Sequence, residues 1–486
     1  MAAEQHSRID AQPSADPKLF NEDLAPVPPK DQTWGWFELF NVWANFSQSL
    51  FAYTLAGTLF LSYGLNGWTV FAAIVLAGFI VMFLLNLSGR PGVKYGIPYP
   101  VLARAHMGVF GANFPAVIRA IVAVFWYGAQ TYVASAAVAL LIRSLVGSGP
   151  DWHFLGLEAF DWLALVIVSA AQIALFWRGI EGIKAFLNWA APAVYSVMIA
   201  LLVILWLRAG SDLLTETGAI IEGQGTYPGG NFAAFVAIVG TMIAAYAPVI
   251  LNYCDFSRYV RSERDMRIGN FLGLPLNLAF FSLIVLLTTG GVAVVFGERL
   301  TNPTQIIGRV DNLTLTIIAT LTFFVATIGI NVVANFVAPA NDLSNLLPSR
   351  ISFRIGGLIA ASLAFIVSAL WVSAIAEFGI AKFVNSLAAL LAPAYGILIA
   401  DYYLVRKQRL DIEAMFLSNP EAAYFYTKGW NRRALAAFVV SAVFSLLAIW
   451  VPALASLQGF GWLIGVFFGG LIYWLLAERR PAGHVQ

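Results

Sequence analysis

The chain has few of the residues that make proteins soluble or reactive. Only 11% of its 486 residues are charged, whereas ordinary globular domains carry roughly 25%, so a soluble fold is excluded. A single cysteine, Cys254, excludes an intramolecular disulfide. The few histidines lie in tails and loops and form no metal-ligand cluster with it, which argues against a metal-dependent membrane enzyme: His6, His106, His153 and His484.

Apolar residues are what the sequence has in abundance. They make up 60% of the chain, and the mean hydropathy is +0.77. Stretches of about 20 apolar residues are long enough to cross a bilayer as helices. Twelve such spans are predicted, at residues 36–60, 66–87, 113–143, 161–177, 185–207, 232–253, 270–297, 312–338, 353–375, 380–404, 434–453 and 457–477.

Basic residues predict the orientation of these spans. About 22 of the 28 Lys and Arg residues lie in one alternate set of connections and in the two tails. Cytoplasmic loops carry such an excess of basic residues, so both termini are expected in the cytoplasm. The chain is expected to be a multi-pass protein of the plasma membrane, in this case a bacterial inner membrane. Residues 1–33 are polar and Pro-rich and lack a signal-peptide core, which predicts a flexible cytoplasmic tail, and residues 479–486 form a second cytoplasmic tail.

Two spans carry features that interrupt helices. The first contains a polar patch in mid-membrane, from Trp43 to Ser49, and the sixth contains Pro248, where a kink or unwinding is expected. These spans correspond if the chain consists of two repeats of five helices. Interrupted helices in corresponding positions of two halves point to the binding site of a transporter.

Two further spans, also five apart, carry polar pairs at helical spacing. Trp126 and Gln130 lie in the third span, and Asn331 and Asn335 lie in the eighth. Amides in hydrocarbon are costly unless they meet a partner, a wet cavity or a ligand. Aromatic faces can stack a flat ring, and amides offer it both donors and acceptors. The pattern predicts a carrier of a small planar solute.

Several stretches resemble the nucleobase:cation symporter-1 family. They are Lys94–Arg104, Gly108–Asn113, Phe125–Thr131, Asn252–Tyr259, Ala334–Asp342 and Pro393–Arg406. The resemblance implies an all-α polytopic membrane protein with twelve transmembrane helices. Ten of them would form the five-plus-five inverted-repeat, leucine-transporter-like core, with two C-terminal helices added. The repeats would span residues 34–208 and 230–408, and the last two helices residues 432–478.

The family's substrate site can be carried over position by position. The resemblance places Trp126 under the ring of the substrate and Gln130 at the edge of that ring. It makes Tyr246 a second aromatic wall, at a position where many relatives have tryptophan. Asn335 matches the family's substrate-binding asparagine. Asn45 and Asn331 are further candidates for substrate contact.

The resemblance also implies a cation site between helices one and eight. Its carbonyls would come from Asn45, Gln48 and Ala326, but the two hydroxyl positions of sodium-coupled members are Gly329 and Ile330 here. Neither offers the side-chain oxygen that a hard cation needs. Water, Asn45, Gln48 or Thr327 would have to replace them. Proton coupling is therefore favoured, with sodium as the alternative.

Carboxylates near the cytoplasmic ends of helices one, six and eight are candidates for gating or for carrying the proton. They are Glu38, Asp255 and Asp342, and they are expected to pair with an arginine such as Arg258 or Arg104.

The expected activity is import of a nucleobase, such as uracil, cytosine or a purine, or of a ureide such as allantoin or hydantoin. Import would proceed by cation symport with alternating access. The alternative is a transporter of the same fold for another flat heterocycle, a pyridine vitamin or a thiamine precursor. No cofactor, no metal other than a coupling sodium ion and no nucleic acid are expected. The partners would be the heterocyclic substrate and the lipid bilayer, with the protein acting as a monomer.

Overall fold

A computed structural model describes residues 16–219, 227–310 and 313–477, and these residues are mostly helical. The helices of the first half are α1 (Trp36–Ser47), α2 (Leu50–Ser62), α3 (Gly67–Tyr95), α4 (Tyr99–Met107), α5 (Asn113–Val146), α6 (Ala159–Trp177), α7 (Gly179–Ala209) and α8 (Asp212–Ala219). A short antiparallel hairpin of β1 (His153–Phe154) and β2 (Leu157–Glu158) separates α5 from α6.

The second half continues in the same manner. Its helices are α9 (Gly230–Leu251), α10 (Cys254–Ser257), α11 (Glu263–Phe271), α12 (Asn277–Phe296), α13 (Pro303–Val310), α14 (Leu313–Asn331), α15 (Ala338–Leu346), α16 (Phe353–Ala369), α17 (Ile380–Ile399), α18 (Arg432–Trp450) and α19 (Gly461–Leu476). Within it, π-helical turns form at Leu272–Leu276, Val332–Val337, Trp371–Ile375 and Ala400–Val405.

Helices of the described residues lie at the positions of the predicted spans. Among the described residues, ten helices are long and apolar enough to cross a membrane. The ninth predicted span is a bent pair, in which α16 and Trp371–Phe378 meet at 64°. The first is divided into α1 and α2, each too short to cross alone. A fold of twelve membrane-crossing segments is therefore consistent with the structure.

The first span breaks where its polar patch predicts. Gln48 and Ser49 separate α1 from α2, and the Ser49 hydroxyl accepts a hydrogen bond from the backbone N–H of Ala52. The sixth span does not show unwinding, which was one of the two outcomes expected at Pro248. Its helix continues through Pro248 and ends three residues later, at Leu251. A proline in the last turn removes one backbone donor near a helix end, and the structure tolerates it there without unwinding.

Helix α5 packs against α6, α14, α15 and α16. Gly128 allows the close approach of α16, because a Cβ there would lie 2.4 Å from Cγ1 of Val367. Ser368 reinforces the contact by donating a hydrogen bond to the Gly128 carbonyl at 2.9 Å. This packing fixes the orientation of the α5 face that carries Trp126 and Gln130.

Residues 16–34, named here the N-terminal strap, do not form the free tail expected from their composition. Leu19, Leu24 and Trp34 are buried. The backbone of Val27 bonds to Gly96 after α3, and that of Trp34 bonds to Tyr259 and Arg261. The reason is that burial of these few apolar side chains is enough to hold an otherwise polar segment against the helices. Residues 1–15 and 478–486, which include the rest of both predicted tails, lie outside the described residues.

Candidate functional site

A cavity lies beside the break between α1 and α2. Four elements converge on it: the break itself, α5, α9 and α12. The lining residues are Phe46, Ser47, Ser49, Phe51, Ala52, Leu55, Trp126, Gln130, Met242, Ala245, Tyr246, Leu278 and Phe281. The structure therefore brings together three of the predicted substrate residues, Trp126, Gln130 and Tyr246.

Trp126 and Gln130 form one polar and aromatic side of the cavity. Phe51 and Phe383 contact the Trp126 ring edge-on, with ring centroids 5.0 and 5.9 Å away. Both Trp126 and Gln130 are 4% exposed. Within the described part of the chain, the Trp126 indole N–H and the Gln130 carbonyl oxygen have no hydrogen-bond partner. Buried polar atoms are normally paired, so these two are suited to a polar ligand.

Tyr246 forms the second aromatic wall, from α9. Its ring stacks on Phe46 with centroids 4.5 Å apart, so Phe46 supports one face of the tyrosine. The Tyr246 hydroxyl lies 3.3 Å from Oγ of Ser47, which also lines the cavity. The cavity thus has aromatic residues on two sides and polar atoms at its edges, as a flat heterocycle requires.

The predicted asparagines do not line this cavity. Asn335 lies in the π-helical turn after α14 and donates a hydrogen bond to Asn331 at 3.0 Å. Asn331 donates to the Tyr127 carbonyl and to the Thr131 hydroxyl of α5. The Asn45 amide donates to the Asn41 carbonyl, one turn earlier in α1. In this conformation Asn331 and Asn335 join α14 to α5, and their direct contact with substrate remains a prediction.

The predicted cation-site residues are buried between α1 and α14. Gln48, Ala326 and Ile330 are at most 1% exposed, and Gly329 is buried beside them. The nearest hydroxyl substitute, Thr327, accepts a hydrogen bond from the Leu50 backbone N–H at 3.2 Å. That oxygen therefore already serves the start of α2.

The three predicted carboxylates lie in different surroundings. Glu38 accepts a hydrogen bond from the Gly35 backbone and caps α1. Asp255 accepts bonds from the Asn252 amide at 2.8 Å and the Tyr99 backbone at 2.9 Å, and burial raises the pKa of its carboxyl group. Among the described residues, neither carboxylate oxygen of Asp342 has a hydrogen-bond partner.

The expected ion pairs with Arg104 and Arg258 are not the ones formed. Arg104 donates to the Met415 carbonyl and to Asn345. Arg258 donates to the Asp23 carbonyl and to the Tyr259 hydroxyl, and its charge also lowers the pKa of the Asp255 carboxyl group against the effect of burial. Both arginines find backbone or neutral acceptors close by, which makes a direct carboxylate bond unnecessary.

Arg119 of α5 is the functional candidate that sequence reasoning missed. It is fully buried, and it donates hydrogen bonds to the Pro248 carbonyl, the Ala334 carbonyl and the Asn252 amide oxygen. It also interacts electrostatically with Asp342 and Asp255. Arg119 therefore joins α5, α9 and the turn after α14. A lone arginine inside an apolar span was the available signal.

Several other cavity residues had no predicted role, among them Phe46, Ser47 and Phe51. The polar patch of the first span indicated the break but not which of its side chains face the cavity. Helical periodicity does not hold across a break, so it could not assign them a face.

Comparisons with known proteins agree with this architecture. A family profile described as permease for cytosine/purines, uracil, thiamine, allantoin matches residues 26–465. An allantoin permease of Bacillus subtilis (strain 168) is 33% identical over 96% of this chain and 94% of its own length. A purine-uracil permease of Arabidopsis thaliana is 30% identical over 96% of this chain and 78% of its own length.

Solved structures share the fold. Mhp1, a nucleobase-cation-symport-1 family transporter, in a closed conformation with bromovinylhydantoin bound, superposes with a TM-score of 0.77. The sequence identity is 22%, over 94% of each chain. The inward-facing conformation of Mhp1 gives a TM-score of 0.76 at 23% identity, over 94% of this chain and 93% of that one.

Proposed function

Because the chain belongs to the nucleobase:cation symporter-1 family of permeases, and is a multi-pass membrane transporter rather than an enzyme, we propose that it imports a small planar heterocycle by cation symport. The substrate class is a nucleobase, such as uracil, cytosine or a purine, or a ring ureide such as allantoin or hydantoin. The observation that carries this proposal is the cavity in which Trp126, Gln130 and Tyr246 meet beside a broken helix.

The proposed binding mode follows from the cavity walls. The ring lies against Trp126 on one side and Tyr246 on the other, and its polar edge bonds to Gln130. Stacking and neutral hydrogen bonds suit an uncharged lactam, because a buried unpaired charge would be far more costly. Asn335 would join the site when the turn after α14 moves towards the cavity.

The proposed transport cycle is alternating access between two inverted repeats, residues 34–208 and 230–408, with both termini cytoplasmic. Helices α1–α3 and α9–α12 form a bundle that rocks against a scaffold built on α5, α14 and α15, while α7 and α17 gate the two sides. The break at Gln48 and Ser49 supports the proposal, because a helix divided at the site can move its halves separately. Ion and substrate together must favour closure more than either alone.

Proton coupling is proposed in preference to sodium coupling. Positions Gly329 and Ile330 supply no side-chain oxygen, and the Thr327 hydroxyl is bonded to the start of α2. A sodium ion needs its lost hydration replaced by several oxygens, and the described side chains offer few between α1 and α14.

The test is uptake of radiolabelled uracil, cytosine, hypoxanthine, allantoin and benzylhydantoin into cells that express the chain. It is run with sodium, without sodium and with a protonophore. Saturable uptake of one compound, abolished by the protonophore and by Trp126→Ala, is expected. The matched control is Trp206→Ala, because Trp206 is 41% exposed and is not among the residues that line the cavity.

Uptake of none of the five compounds by a correctly inserted protein would contradict the proposed substrate class. The same panel extended to a pyridine vitamin and a thiamine precursor would then identify the alternative. Equal loss in Trp206→Ala would show that the Trp126 effect is not specific to the cavity.

A further inference from the structure

A chain of hydrogen bonds leads from the cavity through four helices. The Tyr246 hydroxyl of α9 lies 3.3 Å from Ser47 at the end of α1. The Asn277 amide of α12 donates to Ser47 at 3.1 Å. Tyr195 of α7 in turn donates its hydroxyl proton to the Asn277 side-chain oxygen. Of these four side chains, Tyr246 and Ser47 line the cavity.

The position of each proton in this chain can be assigned from its partners. Ser47 has one proton, and it donates that proton to the Trp43 carbonyl at 3.2 Å. A hydroxyl also has two lone pairs, so Ser47 can accept from Asn277 and from one more donor. In that arrangement the contact between Ser47 and Tyr246 uses the phenolic proton of Tyr246.

The consequence concerns what Tyr246 offers to a ligand. Because its proton is directed to Ser47, its oxygen is left with lone pairs and no second proton. A tryptophan in the same place would offer an N–H donor instead, so the residue type reverses the polarity of this wall. The nearby Gln130 carbonyl oxygen, unpartnered among the described residues, is also an acceptor.

We infer that Ser47 is a specificity-determining positioning residue, which holds the Tyr246 hydroxyl as a hydrogen-bond acceptor and thereby selects ligands that present an N–H group at that edge. This inference rests on the proposed function, since it assigns the recognition chemistry of the same cavity. Ring lactams and ureides with a free N–H meet the requirement. Analogues in which that nitrogen carries a methyl group do not. Asn277, anchored by Tyr195, keeps Ser47 in place.

The alternative is that these bonds only join α1, α9 and α12. Interhelical hydrogen bonds of this kind are common in membrane proteins. A purely structural role would change expression or stability without changing which ligand is preferred. The discriminating quantity is therefore a ratio: the inhibition constant of an N-methyl analogue divided by that of its parent ring.

The experiment measures this ratio for uptake of the transported compound of the panel above. The inhibitors are uracil with 1-methyluracil and 3-methyluracil, and hydantoin with 1-methylhydantoin and 3-methylhydantoin. In the wild-type protein, methylation at one nitrogen should raise the inhibition constant about tenfold, as expected for loss of one buried hydrogen bond. Tyr246→Phe should bring that ratio close to one.

Ser47→Ala is the decisive variant, because it keeps the shape of Tyr246 and changes only its proton. Without Ser47 the phenolic proton turns towards the ligand, so the ratio should fall about fivefold or more. Ser47→Thr retains a hydroxyl and should restore the wild-type ratio. Ser282→Ala is the matched control, because Ser282 is fully buried in α12 and bonds only within its own helix.

An unchanged ratio in Ser47→Ala, with a changed ratio in Tyr246→Phe, would overturn the inference, because Tyr246 would then act by shape. An unchanged ratio in both variants would also overturn it. If Ser47→Ala does not insert, Ser47→Cys replaces it, since a thiol is a weak acceptor. Absence of uptake of any panel compound by the wild-type protein is a separate result. It contradicts the proposed function and this inference together.

Discussion

The Thr327 hydroxyl of α14 accepts a hydrogen bond from the backbone N–H of Leu50, the first residue of α2, at 3.2 Å. The first backbone N–H groups of a helix have no partner within the helix. A side chain from another helix supplies one here, at the break that adjoins the cavity. The same Thr327 oxygen is the nearest hydroxyl that could replace a missing sodium ligand. Its hydrogen bond to the start of α2 therefore bears on both the stability of the protein and the choice of coupling ion.

Replacing Thr327 with valine should destabilise the protein, because the valine keeps the shape and removes the acceptor for Leu50. The expected loss is about 1 kcal/mol of unfolding free energy, which corresponds to about 1 °C in melting temperature for a chain of this size. Thermal unfolding in detergent checks it. Thr327→Ser retains the hydroxyl and should behave like the wild-type protein. An unchanged melting temperature in Thr327→Val would show that the bond contributes nothing.

Sodium dependence should be gained by adding the missing oxygens. In the double variant Gly329→Ser and Ile330→Thr, two side-chain oxygens enter the region between α1 and α14. Uptake by this variant should rise with sodium concentration, whereas uptake by the wild-type protein should be the same in sodium and in choline. Initial uptake rates over a sodium titration provide the measurement. A variant that is no more sodium-dependent than the wild-type protein would contradict the proposed reason for proton coupling.

Removing Arg119 should be strongly destabilising, because three buried oxygens would lose a donor and Asp342 would lose its electrostatic interaction with a buried cation. Loss of one partner of a buried charge pair typically costs about 3–5 kcal/mol. Arg119→Met should therefore unfold at a much lower temperature, and adding Asp342→Asn should recover part of the loss. A double-mutant cycle on melting temperature measures this coupling. Additive effects of the two changes would show that Arg119 and Asp342 are independent. Arg208→Met, at an exposed arginine, is the control.

The sequence predicted the fold closely because the membrane imposes a simple rule. Every crossing segment must satisfy its own backbone, so length and hydropathy locate the helices. The break between α1 and α2 was predictable from the polar patch around Gln48 for the same reason. The continuation of α9 through Pro248 was not, because a proline is tolerated more easily in the last turn of a helix and the sequence does not show where this helix ends.

The candidate site was predictable in part. Trp126, Gln130 and Tyr246 lie together as the family resemblance implied. Asn335 does not join them, because its amide bonds to Asn331 in this conformation, and a sequence does not specify which conformation is observed. The role of Ser47 depends on partners in α9 and α12, whose approach to α1 no local pattern encodes.

Stability should fall in mild acid because of His106 in α4. Burial lowers the pKa of this imidazole from its ordinary value of 6.5 to about 4. The unfolded chain therefore binds a proton between pH 6.5 and 4 that the folded protein does not. Unfolding becomes easier as pH falls through that range, by about 2 kcal/mol between pH 7 and pH 5. His106→Gln should reduce the difference in melting temperature between these pH values. His153→Gln, at an exposed histidine, should leave it unchanged.

The N-terminal strap should restrain opening of the cytoplasmic side. The side-chain carboxylate of Asp23 accepts a hydrogen bond from the backbone N–H of Phe353, at the start of α16. The backbone carbonyl of Asp23 accepts a hydrogen bond from Arg258, which follows α10. The Asn21 amide bonds to the Pro348 carbonyl. One segment thus bonds to the proposed bundle and to elements beside the proposed scaffold. The same segment lines a cavity to which Val337 and Asn341 also contribute.

Asp23→Ala should therefore raise the population of open molecules, because it removes one of these bonds in the closed state only. The reporter is Val337→Cys in a Cys254→Ser background, which leaves a single thiol in that cavity. Its alkylation by a maleimide should be about fivefold faster with Asp23→Ala, as expected for a shift of about 1 kcal/mol. Asp31→Ala, at an exposed strap residue, is the matched control. Equal rates in the Asp23 variant and the control would show that the strap does not restrain opening.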